Sequence, residues 1–282
     1  MNLKTVFRPT RKRTAVLGAV AGVAALALTT TAPANAAKAE RRPSEKKPTV
    51  VLVHGAFADS SSWNGVVKRL QRAGYPVVAP ANPLRGLTSD AEYVHSVLKS
   101  VHGPVVLVGH SYGGAVISEA AADDPQVKAL VYIAAFTPEK GESALELSSK
   151  FPGSTLGPTL NSVPFPLPGG GTGTDLYINA DKFHDQFAAD VPTSVTDLMA
   201  ATQRPVAASA LEEKATKAAW KTIPSWSLVA TEDYNIPPAA QRFMAQRAGS
   251  HTVEVKASHA VSVSRPGAVT RVIEQAAQAT AR

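Results

Sequence analysis

A serine with glycine two residues before it and two residues after it lies in the first half of the chain. It is Ser111, in the segment Gly109-His110-Ser111-Tyr112-Gly113. The apolar run 104–108 precedes this segment, and the helix-like run 114–122 follows it. A strand, a sharp turn and a helix in this order lift a serine hydroxyl above a sheet edge, and the glycines avoid collisions that a Cβ would make. The pattern predicts that Ser111 is a nucleophile for acyl transfer; a tight turn carrying a surface serine is the alternative.

Two residues later in the chain fit the partners that such a serine needs. A serine hydroxyl is activated by a base, commonly a histidine oriented by a carboxylate, and in this type of motif the acid and then the histidine follow the serine. Asp233 comes just after the apolar run 225–230, and His259 just after the run 252–255. We therefore predict a triad of Ser111, His259 and Asp233. Glu232 is the alternative acid, and a purely structural loop histidine is the alternative for His259.

The other histidines are predicted to have structural or surface positions. His54 and His110 lie close to the predicted site but precede the acid in the chain, so we expect them to hold the strand-end loop and the serine turn by hydrogen bonds. Four more have no strand end beside them and are predicted at the surface: His95, His102, His184 and His251.

Acyl transfer also needs hydrogen-bond donors for the developing oxyanion. One predicted donor is the backbone N–H of Tyr112, directly after the serine. The other is the backbone N–H of Ala56, in the segment 54–57 that follows the first apolar run. The side chains of Phe57 and Tyr112 are predicted to line the substrate pocket, and Trp63 is predicted either there or in the core.

No sequence pattern indicates a cofactor or a metal. The glycine-rich segment 169–174 could be taken for a phosphate cradle, but no strand precedes it and no Gly-Lys-Ser/Thr follows, so a flexible loop is expected. The His, Asp and Glu residues do not have zinc or calcium spacing. The chain contains no cysteine, which excludes thiol catalysis and disulfides. We therefore expect neither a cofactor nor a metal site.

Short apolar runs alternate with helix-like segments along most of the chain. The predicted strands are 49–53, 75–80, 104–108, 127–136, 225–230 and 252–255, and the predicted helices are 61–73, 89–101, 114–122, 239–248 and 266–281. This alternation predicts an α/β fold with a mostly parallel central sheet and helices on both faces. It stops at about 138–221, where the Pro- and Gly-rich stretch 151–175 and the helix-like stretches 182–203 and 207–220 predict a mainly helical cap insertion without a convincing strand.

The first 36 of the 282 residues have the features of an export signal. Basic residues precede the apolar stretch 15–28, and Ala34-Asn35-Ala36 fits a cleavage site, so we expect cleavage near Ala36 and secretion. An uncleaved N-terminal anchor is the alternative. Residues 37–48 are predicted to be a disordered leader, and 49–282 one domain.

Five of the 29 Lys and Arg residues lie in the signal, which has no Asp or Glu, so the remainder has 24 basic and 22 acidic residues, a formal charge of +2. This balance does not indicate nucleic-acid binding. No membrane contact is expected of the mature chain, and the oligomeric state is not determined by the sequence.

Four segments together resemble a known family. They are 51–57, 107–114, 229–237 and 253–260, and they are similar to α/β-hydrolase-fold serine hydrolases, specifically to the group of plant methyl-ester esterases and hydroxynitrile lyases and their bacterial relatives. The resemblance covers about residues 49–280, with the cap matching only in position and size. It implies the α/β-hydrolase fold, the nucleophile Ser111, the acid Asp233, the base His259, and the Ala56 and Tyr112 amides as oxyanion donors.

Two departures from this group narrow the implied activity. The lyases carry a lysine shortly after the catalytic histidine and a threonine in the strand-end loop, whereas this chain has Ala260-Val261-Ser262 and Gly55. The cation expected to stabilise a departing cyanide is absent, so the lyase activity is disfavoured. Ala260 also replaces the methionine usual in the esterases, so their substrate preference is not carried over. We predict hydrolysis of a small-molecule carboxylic ester. Lactone hydrolysis, perhydrolysis or another cofactor-free reaction by the same triad, and non-catalytic binding on this fold, are the alternatives.

Overall fold

The computed structural model describes residues 47–280. The predicted export signal lies outside these residues, and so does the predicted leader apart from residues 47 and 48. Within the described range, no helix combines the length and the hydropathy needed to span a bilayer.

In chain order, the strands of the described region are β1 (Thr49–Val53), β2 (Val77–Val78), β3 (Val105–His110), β4 (Val127–Ile133), β5 (Leu160–Pro166), β6 (Thr172–Ile178), β7 (Val206–Ala207), β8 (Ser225–Ala230) and β9 (His251–Val255). Six of these strands form one fully parallel sheet, with the order β2-β1-β3-β4-β8-β9. The predicted parallel sheet is confirmed. The predicted strand 75–80 is reduced to the two residues of β2.

Helices cover both faces of this sheet. The helices of the described region are α1 (Asn64–Arg72), α2 (Leu87–Lys99), α3 (Tyr112–Ala120), α4 (Ala144–Ser149), α5 (Ala180–Phe187), α6 (Thr193–Thr202), α7 (Ala208–Glu212), α8 (Pro238–Arg247), α9 (Val261–Ser264) and α10 (Pro266–Ala279). Strand β3 shows why its sequence is continuously apolar. Val105 and Leu107 belong to the core shared with α2 and α3, whereas Val106 and Val108 belong to the core shared with α1 and α10. A strand buried on both faces has no polar side to present.

The cap contains a small antiparallel sheet that the sequence analysis did not predict. Its order is β5-β6-β7, and β5 and β6 form a hairpin that pairs residues 160–166 with 172–178. Strand β5 carries Pro164 and Pro166 and lies at the edge of the sheet, where a residue without an N–H is tolerated. The expectation of a cap without strands is therefore wrong. The segment 169–174 is the turn of this hairpin together with the start of β6, rather than a flexible loop.

The helical part of the cap is also shorter than predicted. The stretch 182–203 forms two helices, α5 and α6, which are separated at Val191-Pro192. The stretch 207–220 forms only the five-residue α7 and a short 3-10 turn at Ala219–Lys221. The cap is thus a mixture of helices and strands.

Candidate active site

Ser111 occupies a strained turn between β3 and α3. Its backbone has φ 54° and ψ −126°, a conformation that residues with a side chain seldom adopt. A Cβ at Gly109 would lie 2.5 Å from the Gly113 carbonyl oxygen, and a Cβ at Gly113 would lie 2.5 Å from the Val53 carbonyl oxygen. The two glycines therefore allow the turn to pack against β1 and the start of α3. This geometry fits the nucleophile elbow expected from the sequence.

Asp233 and His259 meet at the carboxyl ends of β8 and β9. The two strands are neighbours in the sheet, with Ala230 paired to Val255, so the loops that follow them are adjacent. The Nδ1 atom of His259 lies 2.7 Å from Oδ2 of Asp233, and both side chains are almost completely buried. An ionised carboxylate only accepts hydrogen bonds, so Nδ1 carries the hydrogen and Nε2 has the free lone pair. The imidazole is thus oriented with its basic nitrogen away from Asp233.

Further hydrogen bonds fix the Asp233 carboxylate. The backbone N–H groups of Asn235 and Ile236 donate to Oδ1, at 2.7 and 3.0 Å. The side chain of Gln241, on α8, donates to Oδ2 at 2.8 Å. The role of Gln241 was not predicted, because a glutamine within a helix carries no local sign of a buried contact. Its Oε1 also accepts from the Ala230 N–H at 3.0 Å, which ties α8 to the end of β8.

Glu232, the alternative acid, lies at the surface. Its carboxylate pairs with Lys256, also exposed, at 3.4 Å. The neighbouring Asp233 is the carboxylate that contacts the imidazole. The geometry therefore favours Asp233 over Glu232 as the orienting acid.

The serine turn and His259 are joined through His110. The Nε2–H of His110 donates to the His259 carbonyl oxygen at 2.9 Å, and the two rings lie 4.7 Å apart between centroids. Within residues 47–280, no hydrogen bond links the Ser111 hydroxyl to His259. Such contacts commonly tighten only when substrate is bound. The structure thus brings Asp233 and His259 into direct contact and links His259 to His110, the residue directly before Ser111.

His54 and His110 have the structural positions that were predicted. The Asn82 N–H donates to Nε2 of His54 at 3.0 Å, so the opposite Nδ1–H donates to the Gly55 carbonyl oxygen at 2.9 Å. Burial lowers the pKa of His54. Burial, and then the charge of neighbouring His259, lower the pKa of His110 to about 3. Both rings are therefore neutral near pH 7.

The remaining histidines divide into two pairs. His102 and His251 are exposed, as expected. His95 and His184 also lie at the surface but are partly covered, with 37% and 32% of their side chains exposed. His95 is tied to the Ala120 carbonyl oxygen at 3.3 Å, and His184 to the Thr196 hydroxyl at 3.1 Å.

Two backbone N–H groups remain available beside the serine. The amides of Ala56 and Tyr112 make no hydrogen bond within the part of the chain that the structure describes. The amide of Phe57, by contrast, donates to the Arg204 carbonyl oxygen at 3.0 Å. Ala56 and Tyr112 both line the same cavity as Ser111. Their positions fit the predicted oxyanion donors.

The cavity over Ser111 has a volume of about 440 Å³ and an apolar wall. No charged side chain of the described region lines it. Phe57 and Tyr112 line it as predicted, and the Tyr112 hydroxyl donates to buried Asp90 at 2.9 Å. Trp63 belongs to the core shared with α1 and α10 instead. The larger apolar lining residues come mainly from the cap: Phe136, Leu145, Phe151, Leu156, Leu160, Leu176, Leu211 and Ile236.

No cluster of three or more potential metal ligands is found among the described residues.

Comparisons with known proteins agree with this architecture. The chain is 29% identical over 255 residues to the alpha/beta hydrolase nvfD of Aspergillus novofumigatus, covering 82% of this chain and 97% of that one. It is 28% identical over 262 residues to a pyrethroid hydrolase of Sphingobium wenxiniae, covering 82% and 88%. The crystal structure of polyneuridine aldehyde esterase superimposes with a TM-score of 0.71 at 19% identity, covering 81% of this chain and 98% of that one. The sequence profile described as the alpha/beta hydrolase family matches residues 50–272. With its sheet order, its serine turn and this match over most of its length, the chain belongs to the alpha/beta hydrolase family.

Proposed function

We propose that this protein is a secreted serine hydrolase that cleaves small carboxylic esters through a triad of Ser111, His259 and Asp233. The observation that carries the proposal is the buried 2.7 Å contact between His259 and Asp233, together with the bond from His259 to His110, which directly precedes a strained serine at a mainly apolar cavity. This combination supplies an oriented base, a nucleophile and a desolvated binding site. Similar proteins named as an esterase and as a pyrethroid hydrolase support the reaction class.

In the acylation step, the Ser111 hydroxyl attacks the ester carbonyl carbon. Nε2 of His259 takes the hydroxyl proton, and Asp233 stabilises the imidazolium that forms. The Ala56 and Tyr112 amides donate to the oxyanion of the tetrahedral intermediate. The intermediate collapses, the carbon–oxygen bond to the alcohol breaks, and the imidazolium returns the proton to the departing alkoxide. The product of this half-reaction is an acyl-serine.

In the deacylation step, water replaces the alcohol. His259 removes a proton from the water as it attacks the acyl carbon, the same two amides stabilise the second oxyanion, and the proton passes to Ser111 as the acid leaves. No step calls for a metal or an organic cofactor.

The cavity favours neutral, largely apolar substrates. Charged side chains of the described region are absent from its wall, so an ionised group would lose its hydration without gaining a partner. Its volume of about 440 Å³ is within the range of small-molecule sites.

The strand-end loop argues against the lyase chemistry of the resembling plant enzymes. A Cβ at Gly55 would lie 2.6 Å from the Cβ of Ser111 and 2.8 Å from the His110 carbonyl oxygen. The threonine that the lyases carry there does not fit this loop unless the serine turn moves.

The central test is the Ser111→Ala variant of the mature protein. Wild type should hydrolyse short-chain p-nitrophenyl esters and should be labelled by a fluorophosphonate probe, and the variant should lose both properties while keeping the same circular dichroism spectrum. Unchanged turnover in a folded variant would rule out Ser111 as the nucleophile. Wild type that neither turns over esters nor reacts with the probe would point to a binding protein on this fold.

Three further assays test the type of reaction and the secretion of the protein. A panel of lactones, and of esters with hydrogen peroxide, distinguishes plain ester hydrolysis from the alternative reactions of the same triad. N-terminal sequencing of the protein from culture medium tests secretion, and a start at Ala37 is expected.

A further inference from the structure

Asn235 contributes a carboxamide to the mainly apolar wall of the cavity, whose other polar side chains are serine and tyrosine hydroxyls. Asn235 lies two residues after Asp233, is only 3% exposed, and lines the cavity together with Ser111. Its backbone N–H binds Asp233, as described above, but this interaction leaves its carboxamide free for another role. A deeply buried carboxamide normally has partners for both of its ends.

Neighbouring groups determine which end of this carboxamide is the oxygen. The Nε2 atom of Gln186 lies 2.9 Å from the Tyr234 carbonyl oxygen, which can only accept, so this end of Gln186 is the NH₂ group. The other end of Gln186 accepts from the Thr155 hydroxyl at 2.8 Å, consistent with that orientation. The same NH₂ group lies 2.7 Å from Asn235, so the Asn235 atom facing it is the acceptor Oδ1.

The NH₂ group of Asn235 is therefore the end that does not bind Gln186. Among the described residues, its Nδ2 atom has no hydrogen-bond acceptor. This atom is also not one of the unpaired polar atoms that are completely enclosed by protein, so part of it is accessible. Because Asn235 lines the cavity, we assign the space open to this NH₂ group to the cavity. Two N–H donors are then held at a mainly apolar wall whose other polar side chains are serine and tyrosine hydroxyls.

Two of the other polar side chains in the wall are already engaged. The Ser154 hydroxyl donates to the Asn235 carbonyl oxygen at 2.9 Å, and the Tyr112 hydroxyl donates to Asp90. The scissile carbonyl oxygen has its own candidate donors in the Ala56 and Tyr112 amides. A donor at Asn235 therefore has a different oxygen to bind.

We propose that the Asn235 carboxamide is a specificity-determining donor that binds an acceptor oxygen of the substrate outside the scissile ester group. The proposal rests on the proposed ester hydrolysis. It narrows the substrate class to neutral, apolar esters that carry a second acceptor such as a ketone, an ether or a further ester. An analogue without that oxygen leaves the buried N–H groups unpaired, and sites built to hydrogen-bond a substrate group discriminate strongly against such analogues.

Matched ester pairs test this proposal. Phenyl hexanoate is compared with phenyl 4-oxohexanoate and phenyl 5-oxohexanoate, which place the acceptor on the acyl side. On the alcohol side, 4-isopropylbenzyl hexanoate is compared with 4-acetylbenzyl hexanoate. Acid release in a pH-stat gives kcat/KM for each ester, and the measured quantity is the ratio of ketone ester to alkyl ester. We expect wild type to prefer at least one ketone ester about tenfold.

Two substitutions of Asn235 and one control separate the effect of its N–H donors on this ratio from the effect of its packing. Asn235→Leu removes the carboxamide and should bring the ratio to about one. Asn235→Asp keeps an acceptor for Gln186 but faces the ketone with a second acceptor, so the ratio should fall below one. Thr155→Val, the control, removes a hydrogen bond to Gln186 and leaves Asn235 in place, so it should keep the wild-type ratio.

The outcomes distinguish this proposal from the one on which it rests. Wild-type hydrolysis with equal rates in every pair overturns the role of Asn235 and leaves ester hydrolysis standing. Retention of the preference in Asn235→Leu also overturns it, because another group must then be the donor. Wild type that hydrolyses none of the esters refutes ester hydrolysis, and the role of Asn235 is refuted with it. The wild-type ratio decides the matter even where a variant does not fold.

Discussion

At the scale of single residues, adjacent carboxylates in one loop have opposite surroundings. Asp233 is buried and accepts from His259, whereas Glu232 is exposed and pairs with Lys256. Asp233→Asn should lower kcat roughly 10³- to 10⁴-fold, because an amide no longer holds the imidazole in the required tautomer. Glu232→Gln should stay within about twofold of wild type, since surface ion pairs contribute little. Steady-state kinetics on one p-nitrophenyl ester checks both variants, and a large loss in Glu232→Gln would contradict the assignment.

Residue types and order were sufficient to predict that Asp233 and His259 meet, but not what holds them. Ser111, Asp233 and His259 were predicted as a triad because each follows an apolar run. Gln241 and Asn235 were not, because their roles depend on contacts between loops and helices that no local pattern encodes. The buried bond from Gln241 to Asp233 depends on how α8 packs beside β8. Polar residues of this kind are recognised only once the backbone is placed.

At the scale of elements, the cap holds the loop that carries His259. The carbonyl oxygen of Phe187, at the end of α5, accepts from the Ala260 N–H at 3.0 Å. Asp190, a few residues further along the cap, accepts from the Ser258 hydroxyl at 2.5 Å. The residues on both sides of His259 are thus tied to the same part of the cap. Movement of this part of the cap would disturb the position of the imidazole.

The Ser258→Ala variant tests this tie. Among residues 47–280, loss of the hydroxyl leaves the half-buried Asp190 carboxylate with Arg265 alone, at 3.5 Å, and should lower the free energy of unfolding by about 2 kcal/mol. The loosened loop should also reduce kcat severalfold with little change in KM, and amide hydrogen exchange should increase in residues 257–260. Lys256→Gln, on the exposed part of the same loop, is the control and should leave the exchange unchanged. Equal exchange in Ser258→Ala and wild type would show that the cap contact does not hold the loop.

The two kinds of sheet in this molecule were not equally predictable. Parallel strands such as β3 are buried on both faces, so their apolar runs stand out from the sequence. The cap hairpin of β5 and β6 is mostly exposed or half-buried and contains, with its turn, three prolines and four glycines, so its composition is that of a loop. Its pairing depends on a neighbouring strand and on the turn at residues 169–171.

At the scale of the whole molecule, the fold is held by two apolar cores that meet at the central sheet. The chain has no cysteine, so no covalent crosslink contributes to its stability. Neutral His54 and His110 are built into this interior beneath the active-site loops. Because a buried imidazole resists protonation, they make the stability of the whole fold depend on pH.

The sign of this dependence follows from the lowered pKa of His110, which is about 3 in the folded chain. Above about pH 6.5 the imidazole is neutral in the folded and the unfolded chain, so the titration of His110 does not change the free energy of unfolding. Below that pH, His110 is protonated in the unfolded chain but stays neutral in the folded chain down to about pH 3. The free energy of unfolding therefore falls as the pH falls. From pH 7.5 to 5.5 the titration of His110 alone should lower the free energy of unfolding by about 1.4 kcal/mol, and the lowered pKa of His54 acts in the same direction.

Urea unfolding at both pH values should show that the free energy of unfolding of His110→Gln falls by about 1.4 kcal/mol less than that of wild type over this interval, whatever its stability at pH 7.5. The same loss in both proteins would mean that His110 is not kept neutral by the fold.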